Sequence, residues 1–154
     1  MRVLLKMVLD CSPDAAWRGI RSPAGLRQAS APLMRFDSLE PDGFPDLWDE
    51  GEHPVRVSTL GGIPLGEQVI SIGFPPERDG ARLVRDSGYG VSGIFTMVTA
   101  WEHTMAVAPL PDGRTLYRDR LVFEAGRVTA LLWPTYWVFW QFRALRIRQA
   151  AKTW

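Results

Sequence analysis

Cysteine, lysine, histidine and asparagine are all scarce here: the chain has one cysteine, Cys11, two lysines, two histidines and no asparagine. A single cysteine excludes an internal disulfide and a thiolate zinc site, and it fits a reducing cytoplasm. His53 and His103 stand fifty residues apart with no cysteine cluster near either, so neither a metal centre nor any other cofactor is expected. The net charge is only +1, which leaves no global field for nucleic acid or an anionic membrane. The few lysines stand against sixteen arginines, a bias that points to a GC-rich genome and not to phosphate recognition.

Phosphate-loop signatures are missing as well. There is no GxGxxG or P-loop pattern, and GYGVSG lacks the basic residue and helix start that phosphate binding needs. No serine sits in a nucleophile elbow: Ser12 and Ser22 each precede a proline, and Ser87 and Ser92 lie beside glycine turns. No uncharged run exceeds fifteen residues; the most apolar, Val128 to Phe142, contains Pro134 and Gln141. A membrane-spanning helix needs ~20 predominantly apolar residues, so no span is expected. The opening MRVLLKMVLD is broken by Lys6 and Asp10 and has no small-residue cleavage site after it, which favours a first strand over a leader.

What is present fits one domain over residues 1–154, with 46% hydrophobic residues to fill a core. Val3, Leu5, Met7 and Leu9 alternate as in a strand. Ser12-Pro13 and Ser22-Pro23 are helix-start signals, a capping serine followed by proline in the first turn. They predict short helices over about 13–20 and 23–29. Leu33 to Leu39 is expected to be extended and Glu40 to Gly51 to be loop. Strands are expected over Pro54–Leu60, Gly66–Phe74 and Ala81–Ser87, and a flexible loop over Gly88 to Gly93. Strands that follow strands without crossover helices imply an antiparallel sheet.

The last third carries the strongest pattern. VTAWEHTMAV and RTLYRDRLVFE alternate around a turn at Pro109–Gly113, and a long aromatic-rich helix follows. If Ala108 pairs with Arg114, then His103 faces Asp119, Trp101 faces Leu121 and Met105 faces Tyr117, all on one side of the hairpin. Glu102, Arg118, Arg120 and Glu124 take the other side. A slip of one pair keeps the side but would part His103 from Asp119. Imidazole and carboxylate in contact could act as a general base or polarise a ligand carbonyl; the same pair would serve equally to fix hairpin register.

At helical spacing, Trp133, Tyr136, Trp140, Ala144, Ile147 and Ala151 form one stripe, and Leu131, Val138, Phe142 and Leu145 form a second. Two stripes call for a widely wrapped helix, a cavity wall, or a partner such as a second copy or a membrane surface. Pro134 should kink the helix or fix its entry. Arg143, Arg146 and Arg148 would complement the helix dipole. Of Arg85 and Asp86, one must point inward. An inward Arg85, assisted by Tyr89, could hold a carboxylate or phenolate.

These features resemble the START/Bet v 1-like superfamily, the polyketide cyclase or SRPBCC group. LDCSPDAAWRGIRSPAGL is similar to its first strand and two short helices. AWEHTMAV and GRTLYRDRLVFE resemble its Trp-x-His and Thr-x-x-x-Asp-x-x-x-Phe/Tyr strands, and WVFWQFRALRIR resembles its closing helix with an aromatic-Arg step. The resemblance implies an α+β helix-grip fold, with a seven-stranded curved antiparallel sheet around the C-terminal helix and a cavity between them. The function expected is non-catalytic binding or carriage of a small hydrophobic or amphipathic molecule. Its walls would be Ile70, Ile72, Phe74, Trp101, Met105, Tyr117, Leu121, Phe123, Trp133, Trp137 and Trp140, with His103, Asp119 and Tyr117 as polar anchors. The alternatives are an aromatase/cyclase-like enzyme using His103 as acid or base, and an interaction module, a homodimer included, with a filled interior and an exposed helix stripe.

Overall fold

The computed structural model describes residues 1–154. Strand β1 covers Arg2–Leu9 and is followed by helices α1, Pro13–Ile20, and α2, Pro23–Ser30. Both helices start as their Ser-Pro pairs require: Ser12 Oγ accepts from Ala15 N at 3.3 Å, and Ser22 Oγ accepts from Gly25 N at 2.9 Å. Strands β2 (Met34–Ser38), β3 (Gly51–Thr59), β4 (Pro64–Gly73), β5 (Arg82–Asp86), β6 (Tyr89–Gly90), β7 (Ala100–Pro109) and β8 (Thr115–Glu124) come next, and helix α3, Thr129–Ala150, closes the fold.

The strand order is β1-β8-β7-β5-β4-β3-β2, with every neighbouring pair antiparallel. This path is the seven-stranded sheet expected from the strand-after-strand order. An eighth, two-residue strand, β6, pairs with β4 at Gln68 and Val69. It lies in the segment expected to be a flexible glycine loop, and its glycines have another purpose. Gly88 lies against the Val69 carbonyl so closely that any Cβ would collide with it. Gly93 has φ +64° and sits against the Leu65 carbonyl. Glycine here lets two backbones touch, and Val91 N and Ser92 N both donate to Glu67 O, at 2.8 and 3.0 Å.

The loop from Glu40 is tethered in a similar way. Trp48 is buried, its N–H donates to Arg21 O at 2.7 Å, and Arg21 Nη2 returns a bond to Trp48 O at 3.2 Å. Strand β3 starts three residues before its expected start, because Gly51–His53 already pair with Ile70–Ile72.

The β7–β8 register differs from the expected one by one pair. His103 faces Leu121, Met105 faces Asp119, Trp101 faces Phe123, and Tyr117 faces Val107. The turn decides this. Gly113 N donates to Leu110 O, Leu110 N donates to Arg114 O, and Gly113 has φ +81°. Pro111-Asp112-Gly113 thus forms a three-residue hairpin loop with a left-handed glycine, centred one residue beyond Pro111.

Helix α3 packs on α2 and β1. Its entry is set by Thr129, whose hydroxyl accepts from Ala125 N and donates to Gly126 O, both at 2.8 Å. Trp140, Arg143 and Ile147 are its buried residues, while Leu131, Val138 and Leu145 of the second stripe are exposed. No helix is long and apolar enough to cross a membrane. Removing the cap of α2 by Ser22→Ala should lower stability by about 1 kcal/mol, read as a lower urea midpoint with an unchanged slope.

Candidate functional site

Between α3 and the concave side of the sheet lies a cavity of about 450 Å³. Of the 33 residues around it, 23 are hydrophobic, which suits a mainly apolar occupant. Ile70 and Ile72 of β4, Trp101, His103 and Met105 of β7, Tyr89 of β6 and Trp140 of α3 line it. It opens where its lining is exposed, at Ile94 and Met97 of the turn Gly93–Met97 and at Thr135 in the first half of α3.

Several side chains expected at the wall lie elsewhere. Tyr117, Leu121 and Phe123 are fully buried in the core, with no surface left for a ligand. Phe74 packs edge-on to Trp17 at 6.1 Å and under the Arg21 guanidinium at 4.4 Å. Trp133 donates its indole N–H to Arg2 O at 3.0 Å outside the cavity, and Trp137 is exposed beside it. Arg85 points to solvent. Strand alternation gives the inward positions of β5 to Val84 and Asp86 instead. Asp86 accepts from Ser71 N, Gly88 N and Trp101 Nε1, each at 3.0 Å. Desolvation raises its pKa above the ordinary value, against the opposing influence of His103 and these three donors.

The polar centre behind the wall is Asp119, which is fully buried. It stands diagonal to His103, and the imidazole still spans the gap, so the one-pair slip does not part them: His103 Nε2 lies 2.9 Å from Asp119 Oδ1. Trp140 Nε1 donates to the same oxygen at 2.8 Å, and Tyr117 Oη donates to Oδ2 at 2.7 Å. An ionised carboxylate only accepts, so Nε2 carries a proton and Nδ1 is left without a protein partner. The largest influence on Asp119, desolvation, pushes its pKa up. His103, Arg143 and Trp140 together outweigh it and hold the group below the ordinary 3.8, at about 2. Desolvation and the Asp119 charge drive the Tyr117 phenol well above its ordinary range, so it stays a donor.

Arg143 also lines the cavity. It is not the surface dipole partner expected from its place near the helix end, since its side chain is 6% exposed and its guanidinium lies over the Trp140 ring at 5.2 Å. Arg146 instead reaches Gln28 O at 3.3 Å. The signal for Arg143 was available, because 136, 140, 143 and 147 share one helical face. Asp86 was likewise legible from its alternation with Val84. Phe139 and the 93–98 segment gave no such signal, as their place depends on how the chain folds back on β4.

No metal-binding cluster of histidine, cysteine or carboxylate residues is present. The interior is not filled, contrary to what a pure interaction module requires, although the second helix stripe is exposed as that alternative expected.

No family model matches the chain, and no curated protein resembles it in sequence. Solved structures do resemble it in shape. Ara h 8.0201 superposes with a TM-score of 0.66 at 9% identity, over 99% of this chain and 98% of its own. The Zhui aromatase/cyclase from Streptomyces sp. R1128 gives 0.66 at 12% identity, over 99% and 93%. The chain has the helix-grip fold. A protein from Arthrobacter aurescens with the same arrangement gives 0.72 at 12% identity, over 99% and 86%. Within this helix-grip frame, the Asp119 cluster ties α3 to the sheet.

The acid behaviour of that cluster follows from the low pKa of Asp119. A carboxylate held below its unfolded value stabilises the fold above the ordinary range, and that contribution disappears as the pH falls through the folded value. Between about pH 4 and about pH 2 the wild type should lose roughly 2 kcal/mol from this group. Asp119→Asn should be less stable than wild type by about 3–5 kcal/mol at neutral pH, because it leaves the buried Arg143 without its charge partner, and it should lack this part of the acid slope. Urea unfolding across that pH range measures both effects.

Proposed function

We propose that the protein binds and carries a small hydrophobic or amphipathic molecule between the sheet and α3. The observation that carries this reading is the open, apolar cavity of about 450 Å³, within the usual size range of small-molecule sites. Exposed apolar residues at the mouth, Ile94 and Met97, give an apolar molecule a continuous path inward. Native mass spectrometry of protein purified from its own host, with denatured extraction alongside, tests the reading. A co-purifying small molecule supports it. An empty spectrum together with failure to bind a fluorescent hydrophobic probe would sink it. Met105→Trp, which places a larger ring in the cavity, should weaken probe binding about tenfold or more and leave the unfolding midpoint close to wild type.

A second reading is an aromatase/cyclase-like activity, and it rests on His103. This residue lines the cavity with Nδ1 unpaired and a carboxylate behind Nε2, the arrangement of a general acid or base. Product formation from a chain of repeated ketones, abolished by His103→Ala with binding retained, would favour it. Unchanged product formation in that variant would remove it.

A further inference from the structure

Arg143 is a buried cation with an unpartnered donor. Its Nε is buried without a partner, and the protein groups its other nitrogens meet are the Asp119 carboxylate and the Tyr117 hydroxyl. The one carboxylate near it, Asp119 Oδ2, lies 4.0 Å from Nη2. That distance is too long for a hydrogen bond; Oδ2 accepts from Tyr117 Oη at 2.7 Å, and Oδ1 accepts from His103 and Trp140. Asp119 therefore offsets the charge of Arg143 without accepting from it. A buried guanidinium in this state is costly unless something else supplies acceptors.

The cavity is where those acceptors would come from. Along α3, Trp140 belongs to one apolar cluster of the core and Ile147 to the other. Arg143 lies between them on the same face and lines the cavity. Ser30, at the end of α2, lines the same cavity, and its buried hydroxyl is also unpartnered. The mouth, at Ile94 and Met97, is apolar and exposed, whereas Arg143 is almost sealed from solvent.

We infer that Arg143 is the anchor for a carboxylate head group, and that the ligand is a hydrophobic monocarboxylic acid inserted head first. This rests on the cavity-binding reading above and names the chemistry of its occupant. The planar fork of an arginine matches the two oxygens of a carboxylate and gains from its charge. A lone hydroxyl or ester carbonyl offers fewer acceptor sites and no charge, and would leave donors of the guanidinium unfilled. Asp86 makes no ion pair with Arg143; its oxygens accept from Ser71 N, Gly88 N and Trp101 Nε1.

The test uses cis-parinaric acid, a fluorescent polyene carboxylic acid, and its methyl ester, titrated into the full chain near neutral pH. The acid should bind at least about tenfold more tightly than the ester to wild type. In Arg143→Met the preference for the acid should be lost, while Arg143→Lys should keep part of it. Equal binding of acid and ester to wild type would overturn the proposal while leaving the cavity-binding reading intact, and this comparison needs no variant to fold. A preference for the acid that survives in Arg143→Met would overturn it as well. Binding of neither compound would overturn both readings together.

Discussion

The arrangement of this protein turns on one buried carboxylate. Asp119 sits in the middle of β8 and gathers donors from three elements: His103 from β7, Tyr117 from its own strand, and Trp140 from α3. Apolar packing alone would press α3 onto the sheet without fixing its rotation, because the hydrophobic effect has no direction. A hydrogen bond from the Trp140 indole to Asp119 has one. Once that bond is made, the 3.6-residue period turns Arg143 and Ile147 inward and sends Leu131, Val138 and Leu145 outward. The two stripes of the helix are thereby sorted into an inner and an outer face.

That sorting also explains why a cavity exists. The core consists of two apolar clusters, one under α1, α2 and the end of α3, the other around Val3, Leu121, Phe123 and Trp140. His103, Met105 and Arg143 border the space on the concave side, and being polar or flexible they do not close it. The first half of α3, near Pro134, is mostly exposed and leaves the mouth open toward the Gly93–Met97 turn. Glycines 88 and 93 hold that turn near β4 by permitting backbone contacts that no side chain would allow.

Much of the fold was legible because its signals are local. Two Ser-Pro caps, alternation in the strands and a long aromatic helix each depend on neighbouring residues only, and each appears where the pattern put it. The hairpin register was missed by one pair, because it depends on which residue of Pro111-Asp112-Gly113 takes the left-handed conformation, a choice that alternation leaves open. The site was less legible than the fold. Alternation and helical spacing tell inside from outside, so they group His103, Tyr117, Leu121 and Phe123 together. They do not separate the inside of a filled core from the wall of a cavity. Tyr117, Leu121 and Phe123 fill the core while His103 and Met105 border open space, and that difference comes from the long-range fit of α3 against the sheet.

The same geometry bears on whether His103 is built for proton transfer. A general base works best when the carboxylate behind it is free to stabilise the imidazolium as it forms. Asp119 is not a dedicated partner of this kind. The oxygen facing His103 also accepts from Trp140, the other oxygen accepts from Tyr117, and the Arg143 cation lies 4.0 Å away. Its negative charge is already spread over donors that hold the helix, and less of it remains for a proton arriving on His103. The demand that Arg143 makes is of a different kind: its charge is partly offset, but its buried Nε has no acceptor. A cluster that has committed its carboxylate to structure and left a guanidinium donor open is better arranged to hold an oxygen-bearing ligand than to move a proton.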